Sequence, residues 1–223
     1  MTDLSHLAVL QATDKPFTVL YQDEHLLVVS KPAKLLTVPG RHPANKDCLI
    51  NRVQCEWPSA TVVHRLDYDT SGIVLLPLTK RALSELSKQF QARSITKQYH
   101  AIVTGLVKQD QGEITLPIAA DDANRPLYKI CQASGKPSLT YFKVLSRDKA
   151  TNQSRLLLTP VTGRSHQLRL HLQAIGHAIL GDTLYGEAQI IAQADRLLLH
   201  AANISFKHPT TGAQLSLDNP AEF

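Results

Sequence analysis

Residues 61–78 read Thr61-Val62-Val63-His64-Arg65-Leu66-Asp67-Tyr68-Asp69-Thr70-Ser71-Gly72-Ile73-Val74-Leu75-Leu76-Pro77-Leu78, with apolar residues on both sides of a polar insert. Thr61–Leu66 reads as a strand and Asp67 to Gly72 as a loop. Ile73–Leu78 reads as a buried strand, because a continuous apolar run implies cover on both faces. An Arg and an Asp at the end of a buried strand are costly unless they are paired or used. Two readings of the insert stand: an ion pair followed by a turn nucleated by Asp69, Thr70 and Ser71, or a loop that carries chemistry.

Upstream, Val19–Tyr21 and Leu26–Ser30 form a hairpin pattern around the polar turn Gln22–His25. Pro32, Pro39, Gly40 and Pro43 mark a loop, and Asp47 to Gln54 fits a short helix. Downstream, Lys80–Arg93 reads as a helix capped by Thr79, with Leu83, Leu86 and Phe90 on one face. Further strands are expected at Thr96–Gly105, Glu113–Ile118, Ser138–Leu145, Arg155–Val161, Leu197–Phe206 and Ala213–Leu217. Ser165–Ile175 is predicted as a helix capped by Ser165 and stopped by Gly176. Many strands, two or three helices and no regular βαβ rhythm indicate an α+β fold with a largely antiparallel or mixed sheet. Residues 1–17 are too few for a separate domain and are read as an N-terminal extension; 18–223 is read as one domain.

Hydrophobic residues make up 43% of the 223 and charged residues 19%, which excludes a disordered chain. No basic-then-apolar leader pattern and no run near the ~18 apolar residues of a membrane span is present, so a soluble, cytoplasmic protein is expected. Cys48, Cys55 and Cys131 form no CxxC pair, which argues against a disulfide framework and a structural zinc site. The formal net charge is +5. Residues 1–60 are neutral, 61–170 carry +8 and 171–223 carry −3. A basic middle suggests a polyanion partner, of which nucleic acid is the commonest; a mildly basic enzyme without one is the alternative.

Motifs for nucleotide cofactors, HExxH zinc sites and GxSxG nucleophiles are absent. His166 and His171 lie five apart, on different faces of a helix, and no metal is expected. Two further polar segments stand out. Lys97-Gln98-Tyr99 opens a strand, where a Tyr is ordinarily a core residue. Gly163-Arg164-Ser165-His166-Gln167-Leu168-Arg169-Leu170-His171 places cations at a helix N-terminus, against the macrodipole. That points to an external anion, an internal carboxylate or a solvated basic face.

Together, His64-Arg65-Leu66-Asp67 with Thr70-Ser71-Gly72, Lys97-Gln98-Tyr99, and Gly163 to Arg169 resemble, in order and separation, the three motifs of the RluA-type pseudouridine synthases. The similarity runs from about Val19 to the end of the chain and includes Gly176-His177 and Gly181-Asp182. Ala178 departs from it, standing where relatives often carry Pro. Many members also have an S4-like RNA-binding domain; the length here fits the short subgroup without one.

The resemblance implies a pseudouridine synthase catalytic core over 18–223 with a central active-site cleft. Its implied activity is isomerisation of uridine to pseudouridine in structured RNA. The implied targets are tRNA anticodon-loop uridine 32 and 23S rRNA uridine 746. No cofactor is implied, and a monomer is expected. Asp67 is then the carboxylate at C1′, as nucleophile or as stabiliser of positive charge on the sugar. Arg169 pairs with it, and Tyr99 stacks on the uracil and is a candidate for removing the C5 proton. Arg65 is the candidate wedge filling the space of the flipped base. Lys97, Arg164, His166 and Leu168 complete the expected RNA-contacting set. A non-catalytic RNA-binding or chaperone protein, a synthase with another RNA target, and a nucleosidase-like enzyme are the alternatives.

Overall fold

Apolar runs covered on both faces become inner strands, and alternating runs become strands with one face on a core. The computed structural model describes residues 8–223. Along the chain follow β1 (Thr18–Gln22), β2 (Leu26–Lys31), α1 (Leu49–Gln54), β3 (Ser71–Pro77), α2 (Lys80–Gln91), β4 (Thr96–Thr104), β5 (Gln111–Ile114) and β6 (Ile118–Ala120). Then come β7 (Tyr128–Ile130), β8 (Thr140–Asp148), β9 (Gln153–Pro160), α3 (Gln167–Ala174), α4 (Ala188–Ile191), β10 (Leu199–Lys207) and β11 (Gln214–Asp218). They fall into two compact units, one built from the chain up to Ile95 with Ala201–Pro220, the other from Thr96–His200 with Ala221–Phe223.

In the first unit the strand order is β1-β2-β3-β10, with β11 pairing β10. β2 lies antiparallel to β3, Leu26 opposite Pro77 and Lys31 opposite Gly72. Every residue of β3 is buried, as its uninterrupted apolar run requires. Leu26, Val28, Ile73, Leu75, Leu86, Ile95, Ile204 and Phe206 form the core. Thr79 Oγ1 accepts from Ala82 N at 3.1 Å, the expected cap of α2. Residues 8–17 belong to this unit, with Thr13 N donating to Lys34 O at 2.9 Å.

In the second unit β4, β9, β8 and β5 follow one another, each pair antiparallel. Ala101, Val103, Ile114, Phe142, Leu156, Leu158, Leu168 and Leu172 are among the residues of its core. The α3 helix therefore covers one face of these strands. The small pair β6–β7 stands apart from them.

Four local expectations change. Thr61–Leu66 forms no strand: Thr61 bonds to Pro77 O, while the Leu75 amide donates to the His64 ring at 2.8 Å. The strand expected at Glu113–Ile118 is split into β5 and β6 around Pro117, which has no amide to donate. α1 starts at Leu49 rather than Asp47, because Asp47 turns aside to hold Arg52 Nε at 2.7 Å. α3 starts at Gln167, with His166 rather than Ser165 at the N-cap. The α+β class with a largely antiparallel sheet stands.

Candidate active site

Asp67 follows a residue whose backbone is gripped from both sides. Thr37 Oγ1 accepts from Leu66 N at 3.1 Å and donates to Leu66 O at 2.9 Å. Thr37 is 2% exposed and Leu66 4%, so water does not compete for these bonds. Asp67 O accepts from Thr70 N at 3.2 Å, closing a turn. Asp67 and Asp69 are half-buried, and Arg65 is exposed. Beneath the loop lies Lys31, fully buried at the end of β2. Its Nζ donates to Pro32 O, Leu35 O and Tyr68 O at 2.9, 2.6 and 3.3 Å, so the ammonium lies among carbonyl dipoles. Gly72 leads the loop into β3 at φ +113°. A Cβ there would lie 2.3 Å from Ala201 O, so only glycine admits this approach to β10.

The remaining expected residues lie in the second unit. Lys97 and Tyr99 alternate with Gln98 along β4, on the face shared with Ala101 and Val103. Tyr99 packs against the core of the unit. Lys97 Nζ lies 3.9 Å from where a Gly163 Cβ would stand, so the second motif meets the third. Burial lowers the Lys97 pKa.

The turn into α3 is held by Gln167, which is 4% exposed. Its Oε1 accepts from Thr162 Oγ1 at 2.8 Å and Arg164 N at 3.0 Å, and its Nε2 donates to Leu139 O at 3.0 Å and Thr140 Oγ1 at 2.9 Å. These bonds bend the chain so that His166 takes φ +56°. Thr140 Oγ1 in turn lies 3.0 Å from His171 Nδ1, and His171 Nε2 donates to Leu116 O at 3.0 Å. Burial lowers the His171 pKa, against the bond to Leu116, which raises it.

Arg169 is 1% exposed and bound in a fork by Asp182, Nε to Oδ2 at 2.9 Å and Nη2 to Oδ1 at 2.5 Å. Asp182 Oδ1 also accepts from Leu184 N and Tyr185 N at 3.0 and 3.1 Å. The Arg169 guanidinium carbon lies 5.5 Å from the centre of the Tyr185 ring. Tyr185 Oη accepts from Tyr128 N at 3.0 Å and lies 2.6 Å from His166 Nδ1. The cation that opposed the helix dipole is thus answered by an internal carboxylate, and one tyrosine touches both Arg169 and His166.

Of the expected residues, Arg65 and Asp67 belong to the first unit, and Lys97, Tyr99, Arg164, His166, Leu168 and Arg169 to the second. Arg164 donates from Nε and Nη2 to Pro137 O at 3.3 Å each and stays partly exposed. Leu168 is 7% exposed and lies in the core, as its helical spacing with Leu172 required, which gives it a packing role. Lys31, Thr37, Asp182 and Tyr185 were not singled out from sequence as site residues. A lysine closing an apolar strand, and the Asp and Tyr of Gly181-Asp182-Thr183-Leu184-Tyr185-Gly186, were the available signals. Among the described residues no cluster of three or more His, Cys, Asp or Glu is arranged to hold a metal.

The RNA pseudouridylate synthase family model matches residues 25–174. The dual-specificity RNA pseudouridine synthase RluA of Yersinia pestis is 48% identical over 205 residues, 92% of this chain and 99% of that protein. RluA of Escherichia coli K12 is 46% identical, covering 92% and 93%. RluA of Vibrio vulnificus is 44% identical, covering 99% and 89%. Among solved structures, Human RNA Pseudouridylate Synthase Domain Containing 1 superposes with a TM-score of 0.79 at 29% identity, covering 94% of this chain and 85% of that one. With the three motifs held as described, and with relatives matched over nearly their whole length, the chain belongs to the RNA pseudouridylate synthase family.

Proposed function

We propose that this chain isomerises chosen uridines of structured RNA to pseudouridine with dual specificity, acting on an anticodon-loop uridine of tRNA, position 32, and a hairpin uridine of 23S rRNA, position 746. What supports the choice of targets is 44–48% identity to enzymes named dual-specificity RluA. What supports the catalytic assignment is the Thr37 grip on Leu66, which fixes the backbone from which the Asp67 carboxylate projects. RNAs of these classes place the work in the cytoplasm.

The reaction breaks the N1–C1′ bond, turns the uracil and joins C5 to C1′. The C5 proton then leaves and N1 ends protonated, so the product is an isomer and no redox partner is needed. Asp67 either attacks C1′ or stabilises positive charge on the sugar. Asp182 takes up Nε and one terminal nitrogen of Arg169. By the family resemblance, Arg169 is the residue we assign to pair with Asp67, keeping that carboxylate ionised and aimed. Tyr99 stacks on the uracil and is the candidate acceptor of the C5 proton. Arg65, exposed two residues before Asp67, fills the place of the flipped base. Lys97, Arg164 and His166 contact phosphates or neighbouring bases.

Tritium release from RNA labelled at uridine C5 tests this, with an anticodon stem-loop and a 23S hairpin offered separately. Release from both with the wild type, and from neither with Asp67→Asn, is expected. Release from one RNA alone would remove dual specificity. Full release with Asp67→Asn would remove the catalytic assignment.

A further inference from the structure

The catalytic reading makes no use of residues 8–17, yet this segment is tied to the loop that carries Asp67. Tyr68 Oη donates to Gln11 O at 2.5 Å. The other end of the same residue is also held, since Tyr68 O accepts from Leu35 N at 3.2 Å and Lys31 Nζ at 3.3 Å. Thr13 N donates to Lys34 O at 2.9 Å, which closes a ring from Gln11 through Tyr68 and Leu35 back to Thr13.

Arg52 on α1 pins the strap beyond this ring. Its Nη2 donates to Thr13 O at 2.6 Å and its Nη1 to Lys15 O at 3.0 Å. Asp47 holds Arg52 Nε and Nη2 at 2.7 Å each, so the arginine is itself oriented. On the far side, Leu10 N donates to Asn45 Oδ1 at 2.8 Å and Asn45 Nδ2 to Ala8 O at 2.9 Å.

The segment buries little: Val9 is 61% exposed, and residues 14–16 are all exposed. Ordering it costs conformational entropy with scant hydrophobic return, and specific polar bonds offset that cost. The residue those bonds hold is the one that follows Asp67, whose Cα is about 3.8 Å away. The Tyr68 phenol pKa is raised by burial and by Asp69, so it stays a donor through neutral pH.

We propose that residues 8–17 form a positioning strap for Asp67 and that Tyr68 is the positioning residue through which the strap acts. The inference rests on Asp67 being the catalytic carboxylate. The Thr37 clamp holds the loop before Asp67, and the strap holds it after.

Single-turnover pseudouridine formation on an anticodon stem-loop tests the inference. The proteins are wild type, Tyr68→Phe, Arg52→Gln, their combination, and Asp67→Asn, with RNA Kd and melting temperature measured for each. Tyr68→Phe is expected to slow the step about 3- to 10-fold with Kd unchanged. Arg52→Gln, which touches the strap and not the loop, is expected to slow it in the same direction. The combination is expected to be no slower than Tyr68→Phe, because Arg52 acts on the loop only through the strap's bond to Tyr68, which Tyr68→Phe has already removed. Wild-type rates for both single variants beside an inactive Asp67→Asn would overturn the strap and leave the catalytic reading standing. Losses that multiply in the combination, or that appear only in Kd or melting temperature, would also overturn it. An active Asp67→Asn would overturn the catalytic reading itself, and the strap's role with it.

Discussion

Arg169 and Asp182 are each 1% exposed, so neither charge is tolerable without the other. Breaking a buried pair from one side strands the remaining charge, and Asp182→Ala is expected to destabilise the fold by about 3–5 kcal/mol. It also frees the amides of Leu184 and Tyr185 from their acceptor. A fall in the urea midpoint of less than about 1 kcal/mol equivalent would mean that the pair is solvated in solution. Tyr185→Phe is a milder change, because it keeps the ring beside Arg169 and removes only the hydroxyl that joins Tyr128 N to His166. About 1 kcal/mol of stability is expected to go, together with part of the isomerase rate as His166 loosens. Unchanged turnover in Tyr185→Phe would assign the tyrosine to packing alone.

At the scale of elements, what was legible in the sequence was what each segment decides locally. α2 is one such case: Thr79 caps it, Leu86 is buried and Leu83 and Phe90 flank it, all within one amphipathic stretch. Thr79→Ala is expected to cost about 1 kcal/mol in denaturant unfolding, with pseudouridine formation unchanged because the cap lies outside the catalytic loops. The start of α3 was not legible, because Ser165 is a good capping residue by type. Gln167 takes over the turn only by meeting Thr162, Leu139 and Thr140, partners 5 to 28 residues away. Thr61–Leu66 failed as a strand for the same reason: its β-like composition is outweighed by the Thr37 side chain, 29 residues off, bonding Leu66. Gly72→Ala is expected to yield insoluble or unfolded protein, since its Cβ would collide with the Ala201 backbone.

For the whole molecule, pH probes one anchor in each unit. Burial raises the Asp23 pKa, but bonds from the Tyr21 hydroxyl, the His25 and Leu26 amides and the His208 ring outweigh it and bring it down to about 2. This carboxylate ties the β1–β2 turn to His208 in the β10–β11 turn at 2.8 Å. A carboxylate lowered by folding stabilises above its unfolded pKa of 3.8, and that contribution is lost as pH falls from there toward about 2. His171 is lowered from 6.5, so the unfolded chain takes up its proton first and stability declines as pH falls below 6.5. Urea midpoints measured from pH 7 to pH 2 are expected to fall in two stages, with Asp23→Asn flattening only the lower one. A constant midpoint from pH 7 to pH 4 would contradict the burial of His171. RNA affinity is expected to fall steeply with salt, given +8 over residues 61–170. Arg164→Ala should reduce the log–log salt slope by about one unit if that arginine meets a phosphate.

The order and spacing of the three motifs, the basic middle of the chain, the buried run of β3 and the capped α2 are properties of the linear chain, and the sequence alone determined them. Family membership was legible for that reason. The grip of Thr37 on Leu66, the fork of Asp182 on Arg169, the double contact of Tyr185 and the strap of residues 8–17 were decided only by tertiary structure. Each depends on side chains brought within hydrogen-bond or ring-contact distance from 13 to 57 residues away. Such bonds leave no periodic trace in the chain, because their geometry exists only after the strands have paired and the core has closed.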